Sequence, residues 1–132
     1  MTDSHQSPEV EPVTRLIDQE RVDRYALAAR DPNPIHTNEE AAKSIGLDGP
    51  LAHGMLLLAL VSEAMTVTFK QRWAESGTLK VRWRVPAIPP VEVTAFAEPR
   101  EIVAGVANYY VRCETRSGTV LLNGTASIDL NA

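Results

Sequence analysis

The segment "HGMLLLALVSEAMTVTF", residues 53–69, decides the fold because it has helical length and is apolar nearly all round. A helix at the surface of a soluble protein normally carries polar residues along one face. This segment has no such face, so we expect a helix that is covered on almost every side. A curved sheet wrapped around the helix is the most economical cover.

The residues after this helix predict that sheet. Stretches rich in β-forming residues alternate there with proline or Ser-Gly turn signals. In the last stretch Val120, Leu122, Gly124, Ala126, Ile128 and Leu130 share one face by simple alternation. The expected fold class is therefore α+β, with an antiparallel sheet around a long central helix. The predicted strands lie within residues 78–87, 91–99, 105–115 and 119–130.

Composition limits the classes of function. The chain has 132 residues, which favours one domain, and its net charge of −4 argues against binding to nucleic acid or to an anionic membrane. Cys113 is the only cysteine, so an intramolecular disulfide is excluded and a buried, inert thiol is expected. The polar N-terminus does not resemble a signal peptide, and the apolar run at residues 55–61 is too short to span a bilayer. We expect a cytoplasmic protein.

The residues before the apolar helix predict shorter elements. Residues 1–11 are polar and contain Pro8, which predicts a disordered arm before a domain at residues 12–132. Residues 14–31 predict a helix with Asp18 as a candidate N-cap. Thr37 and Glu40 have the spacing of a capping box, so a second, short helix is expected at about residues 38–45.

Between these two helices lies "RDPNPIHTNEE", residues 30–40. Its two prolines stiffen a loop that carries Asp31 and His36. A carboxylate and an imidazole on one rigid loop can act as an acid–base pair near neutral pH. They can equally be structural, with Asp31 capping a turn, Asn33 forming an Asx-turn and His36 partly buried. The loop residues alone leave both interpretations open.

His53 and Gly54 favour the chemical interpretation. They begin the apolar helix, whose first turn presents N–H groups without intrahelical acceptors. Gly54 allows a substrate oxygen to approach the backbone closely, as in an oxyanion site. Together with the loop, this suggests transfer of a proton or water at the carbons next to a carbonyl group. His53 itself is expected to be structural.

Residues 25–62, which include both the loop and the start of the apolar helix, closely resemble the hydratase motif of the MaoC-like, (R)-specific enoyl-CoA hydratases. The matching residues are Asp31, Asn33, Pro34 and His36, followed by the Ala-His-Gly-Met sequence of residues 52–55. The resemblance implies a single hot-dog domain in which the motif forms an overhang segment beside the central helix.

The resemblance also implies a hydro-lyase mechanism. Asp31 would act as general base and His36 as proton donor on one shared water. That water would add to the β-carbon of a trans-2-enoyl thioester and give the (R)-3-hydroxyacyl thioester, or leave in the reverse dehydration. The Gly54 N–H would bind the thioester oxygen. No metal or redox cofactor is implied, since coenzyme A or the phosphopantetheine of an acyl-carrier protein is part of the substrate. A homodimer is expected.

Further residues receive weaker assignments. Asn33 is expected to orient the loop, and Ser62, two helical turns after Gly54, lies either near the active site or simply in the core. Lys80, Arg82 and Arg84 share one strand face and either bind the phosphates of the carrier or face solvent. Candidate pocket-lining residues, for which core packing is the alternative explanation, are Ala59, Val61, Met65 and Trp83.

Three departures from the family pattern concern the substrate more than the reaction. Arg30 replaces a residue that is often small, Pro89-Pro90 replaces a Gly-Asp turn, and the segment at residues 72–78 is short. Two other functions are therefore considered. The chain could be the catalytic subunit of a heterodimeric 3-hydroxyacyl-thioester dehydratase. It could also be a hot-dog acyl-CoA thioesterase, which the hydratase arrangement of the motif disfavours.

Overall fold

The computed structural model describes residues 5–131 and contains one antiparallel sheet with a long helix against one face. The predicted α+β fold class is confirmed. The strands follow the spatial order β1-β3-β4-β5-β2, so β1 and β2 are the two edges of the sheet. The strands are β1 (Val13–Ile17), β2 (Gly77–Trp83), β3 (Val91–Val103), β4 (Val106–Thr115) and β5 (Val120–Asp129), and the helices are α1 (Gln19–Ala29), α2 (Glu39–Ser44), α3 (Gly54–Phe69) and α4 (Gln71–Ser76).

The core lies between α3 and the sheet. Leu57, Val61 and Met65 of α3 are buried in the core that the helix forms with β1, β3 and β4. Cys113 belongs to this core, where burial raises the pKa of its thiol to about 12 and its Sγ lies 3.4 Å from the Leu57 carbonyl oxygen. These observations agree with the prediction of a buried, unreactive thiol.

Not every side of α3 is covered within one chain. Met55 and Val67 are about half exposed, at 54% and 50%, and Ala59 is exposed as well. The expectation that the helix is enclosed on almost every side is therefore wrong for a single chain. The sheet covers only one face of the helix, because it lies along α3 and does not encircle it.

The alternation predicted for the last strand is confirmed where it pairs regularly. Leu122, Ala126 and Ile128 of β5 are buried, as expected for residues that share one face. Leu121 is buried too, although it lies on the other parity. The pairing of β4 with β5 shifts between Cys113 and Glu114, and this irregularity turns the start of β5.

Two predicted element boundaries are wrong, and two elements, β1 and α4, were missed. Residues 13–17 form β1, not the start of a helix, because α1 begins only after Asp18, whose carboxylate accepts the Arg21 N–H at 2.8 Å. The cap of α2 is Asn38 rather than Thr37, since the Asn38 side chain accepts the Ala41 N–H at 2.9 Å. The short helix α4 was not anticipated.

The described part of the predicted N-terminal arm is packed on the sheet. The Ser7 N–H donates to the Arg100 carbonyl at 2.8 Å, and the Tyr109 hydroxyl donates to the Pro8 carbonyl at 2.7 Å. Val10 joins the core. The prediction of disorder is thus wrong for these residues, because backbone bonds and an apolar contact hold them, while residues 1–4 lie outside the described residues. Among residues 5–131, no helix is long and apolar enough to cross a membrane.

Gly124 permits close approach of β2 to β5. A Cβ at this position would overlap the carbonyl oxygen of Lys80 and lie 2.8 Å from the Val81 Cα. Because both contacts are backbone atoms, Gly124→Ala must displace β2, and we expect it to lower the free energy of unfolding by about 1–3 kcal/mol. Urea denaturation at fixed protein concentration measures the change.

The control is Gly49→Ala, where the nearest atom to the new Cβ is the Ile88 methyl at 3.5 Å, an ordinary contact. This variant should unfold close to wild type. Equal denaturation midpoints for Gly124→Ala and wild type would contradict the close strand contact.

Candidate active site

The loop after α1 is held by its own short side chains. Arg30 ends α1 in the left-handed conformation (φ 54°), which accounts for the preference for a small residue at this position in the family pattern. The Asp31 Oδ1 then accepts the Asn33 N–H at 3.1 Å, and the Asn33 side chain accepts the Ile35 N–H at 3.2 Å. Asn33 therefore shapes the loop, as predicted, and the other carboxylate oxygen of Asp31 is left for other contacts.

His36 is buried at the end of a 3₁₀ turn, Pro34–His36. Its Nδ1 lies 2.8 Å from the Leu51 carbonyl oxygen, and its own carbonyl accepts from the Gln19 side chain at 2.8 Å. A carbonyl oxygen can only accept, so Nδ1 carries a proton and the Nε2 of neutral His36 presents a lone pair. This Nε2 lies 3.8 Å from Oδ2 of Asp31.

His53 completes a cluster with these two residues. Its ring stacks on that of His36, with centroids 3.7 Å apart and 19° between the planes, and Tyr25 lies against it at 4.8 Å. The Nε2 of His53 is also 3.8 Å from Oδ2 of Asp31, yet neither ring nitrogen has a hydrogen-bond partner. The sequence predicted a structural role for His53, and the structure places it against both Asp31 and His36.

Burial lowers the pKa of His53 below its usual 6.5, and the nearby His36 acts in the same direction, against the attraction of Asp31. His53 is therefore neutral at neutral pH. Separations of 3.8 Å are too long for direct hydrogen bonds and leave space for a bridging water. One water between the Asp31 carboxylate and the two imidazoles could accept and donate hydrogen bonds at once, which is the arrangement that water activation requires.

Gly54 begins α3, so its N–H has no acceptor within the helix. It lines a cavity of about 390 Å³ together with Trp83, and the Trp83 indole donates to the Gly54 carbonyl at 2.9 Å. A Cβ at Gly54 would lie 2.6 Å from the indole nitrogen. Glycine is thus required by the packing of Trp83. The other residues that line this cavity are Leu51, Ala52, Leu57, Arg84, Val85, Pro86 and Ala87.

Other predicted site residues lie elsewhere. The Ser62 hydroxyl accepts from the Trp73 indole at 2.9 Å and thereby ties α3 to α4, while Val61 and Met65 are fully buried in the core. Ala59 lies on the exposed side of α3. Of this group, the structure brings none to the cluster around Asp31.

Lys80, Arg82 and Arg84 share one face of the sheet edge, as predicted. They line a groove of about 480 Å³ across β2, β5 and β4, in which Arg112 is a fourth cation and Glu98 the one carboxylate. Arg84 is the only one of the three that also lines the cavity beside Gly54. Leu51 and Gln19 were not predicted as partners of His36, because both contact it across a long separation in sequence.

Residues 2–116 match the family model described as a MaoC like domain. The chain belongs to this family. Over 70 residues, this MaoC-like domain is 36% identical to 3-hydroxyacyl-thioester dehydratase X of Mycobacterium tuberculosis, a match that covers 53% of the chain and 24% of that protein.

A second relative is the mitochondrial 3-hydroxyacyl-[acyl-carrier-protein] dehydratase of Arabidopsis thaliana, 32% identical over 56 residues, or 42% of the chain and 34% of that protein. The matches therefore span about a quarter and a third of these relatives' lengths. Solved structures with the same fold include an (R)-hydratase from A. caviae involved in PHA biosynthesis (TM-score 0.75, 23% identity, 98% of this chain and 99% of that chain). They also include the ChsH1-ChsH2 complex of Mycobacterium tuberculosis (TM-score 0.78, 20% identity, 96% of this chain and 98% of that chain).

The depressed pKa of His53 makes stability depend on pH. Between the usual pKa of 6.5 and the lower folded value, the unfolded chain binds a proton that the folded domain does not. The contribution of neutral His53 to the free energy of unfolding is therefore fully present above about pH 6.5 and is lost progressively as the pH falls below that value. We expect His53→Phe, which keeps a ring beside His36, to flatten this slope by at most about 1.4 kcal/mol per pH unit.

Urea denaturation between pH 8 and pH 5 measures the slope for both proteins. Parallel pH profiles of wild type and His53→Phe would contradict the neutral, buried state of His53.

Proposed function

We propose that this MaoC-like domain catalyses the (R)-specific hydration of trans-2-enoyl thioesters, or the reverse dehydration of (R)-3-hydroxyacyl thioesters. The observation that carries the proposal is the 3.8 Å separation of the Asp31 carboxylate from Nε2 of buried His36. That separation suits one shared water. The names of the two curated relatives, both dehydratases of 3-hydroxyacyl thioesters, support the same reaction class.

In the hydration direction the water oxygen bonds to the β-carbon while Asp31 accepts a proton from the water. The electron pair of the double bond moves toward the thioester carbonyl, and the α-carbon then takes a proton from His36. Because Nδ1 of His36 already donates to Leu51, Nε2 can donate only when the ring is protonated. Transfer of the proton from Asp31 to His36 at the end of the cycle restores both groups, so the pair works as a unit.

Gly54 has the role of stabilising the negative charge on the thioester oxygen. The N-terminus of α3 carries a partial positive charge, and the Gly54 N–H is not used by the helix. Hydrogen bonding to this oxygen becomes stronger as the enolate-like charge develops, which lowers the barrier. Neither step draws on a metal or a redox cofactor.

A second hot-dog chain is proposed to complete the site. Strand β2 is an unpaired edge, and three apolar side chains near the Gly54 cavity are exposed: Met55, Trp83 and Val85, at 54%, 49% and 41%. A partner strand on β2 would satisfy its backbone groups and cover these side chains. We favour a homodimer. The solved ChsH1-ChsH2 and HadBC complexes, which have the same fold, support a pair of different chains as the alternative.

We propose that the thioester carrier runs past Arg84 from the cavity beside Gly54 to the groove lined by Lys80 and Arg82, since Arg84 lines both. The groove would then offer Lys80 and Arg82 to the phosphates of coenzyme A or of a phosphopantetheine arm. Both cations lie on the face of the sheet away from the cavity, so they would contact the distal end of the carrier and not the acyl chain.

The chemistry is tested with crotonyl-CoA and longer 2-enoyl-CoAs by following the loss of the conjugated thioester absorbance. We expect Asp31→Asn and His36→Ala each to lower kcat/KM at least about 100-fold, because each removes one proton-transfer group. Asp48→Asn makes the same chemical change at an exposed position and should match wild type. Undiminished turnover in either site variant would refute the roles assigned, and release of free coenzyme A would indicate a thioesterase.

Assembly is tested by light scattering during gel filtration. We expect a mass of twice the 14.5 kDa chain for wild type and a shift toward the monomer for Met55→Glu, which places a charge in the proposed contact. Val67→Glu is the control, because Val67 is equally exposed on α3 but lies about 120° around the helix. A monomeric wild type that gains activity only with a second hot-dog protein would establish the heterodimer.

A further inference from the structure

We propose that Asp31, His36 and His53 also bind a divalent transition-metal ion, for which Zn²⁺ is representative, and that the bound ion inhibits the domain. The inhibition rests on the proposed function, whereas the binding itself does not. The inference concerns regulation of the site by metal, because the ion would occupy the position in which the reacting water is held.

The donor set is one that zinc prefers. Two imidazole nitrogens and a carboxylate oxygen, with a fourth position left to water, form a common three-ligand zinc site. Here the three donor atoms lie within 4.8 Å of one another, and both Nε2 atoms are 3.8 Å from Oδ2 of Asp31. The three residues come from two segments of the chain, the loop after α1 and the start of α3, and both are anchored to the core.

An independent observation points to a ligand at this place. His53 is only 3% exposed, and neither of its ring nitrogens has a hydrogen-bond partner among the described residues. A buried polar atom without a partner is costly and rare in native proteins. One of the two nitrogens faces Asp31, so an ion bound there would satisfy it.

The neighbouring hydrogen bonds orient the other two donors toward the same point. His36 donates its Nδ1 proton to the Leu51 carbonyl, the contact that metal-binding histidines typically make through the nitrogen that does not bind the metal. Asp31 is held through Oδ1 by the Asn33 N–H, which leaves Oδ2 directed at the histidines. The Nε2 of His36 and the Oδ2 of Asp31 are therefore both left for a ligand at the cluster.

Metal binding requires the three donors, now within 4.8 Å of one another, to move closer together. Donor atoms about 2.1 Å from a tetrahedral ion are roughly 3.4 Å apart, so each 3.8 Å pair must close by about half an ångström. The Asp31 side chain is 41% exposed and can move inward. The two stacked rings must also tilt, because lone pairs of nearly parallel rings do not converge on one ion.

Metal binding would stop the proposed reaction directly. The ion takes up the Nε2 lone pair of His36 and the free carboxylate oxygen of Asp31, the two atoms between which the protons move. It also displaces the bridging water from its position between them. We therefore expect Zn²⁺ to inhibit, and chelation to restore activity.

The test uses full-length, tag-free protein and Co²⁺ as a spectroscopic probe, followed by calorimetric titration with Zn²⁺. We expect one ion per chain, with the visible absorption of four- or five-coordinate Co²⁺. His53→Phe and Asp31→Asn should each weaken binding at least about 10-fold, because each removes one of three ligands. His5→Gln, which removes a histidine outside the cluster, should bind like wild type. Asp31→Asn keeps the test valid if His53→Phe does not fold.

Each outcome is informative. Absence of stoichiometric binding to wild type, or binding to both cluster variants as tight as to wild type, would overturn the metal site. Turnover of crotonyl-CoA that is insensitive to Zn²⁺, with no cobalt spectrum, would leave the hydratase proposal intact and remove this one. A cobalt spectrum that the cluster variants abolish, in a protein without hydratase activity, would support the metal site and reject the proposed function.

Discussion

Helix α3 lies on the sheet through Leu57, Val61 and Met65, and this apolar contact determines where the helix begins. Because the helix cannot rotate or slide without exposing these side chains, the positions of His53 and Gly54 at its first turn are determined as well. Burying each such side chain contributes about 1.5–3 kcal/mol, far more than any single polar contact in the loop. The stable core thus supplies a rigid reference against which the polar groups are arranged.

The loop with Asp31 is attached to the start of α3 by a few hydrogen bonds. The Ile35 carbonyl accepts the Leu51 N–H at 3.1 Å, and the Leu51 carbonyl accepts from the His36 ring. The loop is therefore joined side by side to the segment that leads into α3. The bond to Leu51 also places a proton on Nδ1 of His36. The geometry of the cluster and the position of the His36 ring proton therefore have one cause, the hydrogen bonds of residues 35 and 36 with residue 51.

Much of the fold could be predicted from local patterns. The apolar character of residues 53–69 and the alternation in β5 indicated helix and strand directly. The spacing of Asp31, His36 and Gly54 indicated the candidate site. Strand β1 was missed because five residues before a strong N-cap resemble a helix start. The place of His53 in the cluster could not be predicted, because ring stacking between residues 17 apart depends on how the loop meets α3.

The cations on β2 have a consequence for the choice of partner. Lys80 and Arg82 protect an unpaired edge from indiscriminate strand addition, since a second strand must accept their charge. Two identical copies that meet along β2 would bring these rows of positive charge together on one face, and added salt would screen the repulsion. High ionic strength would therefore favour the pairing of two identical chains along β2. A partner strand that carries acidic residues would compete best for β2 at low ionic strength.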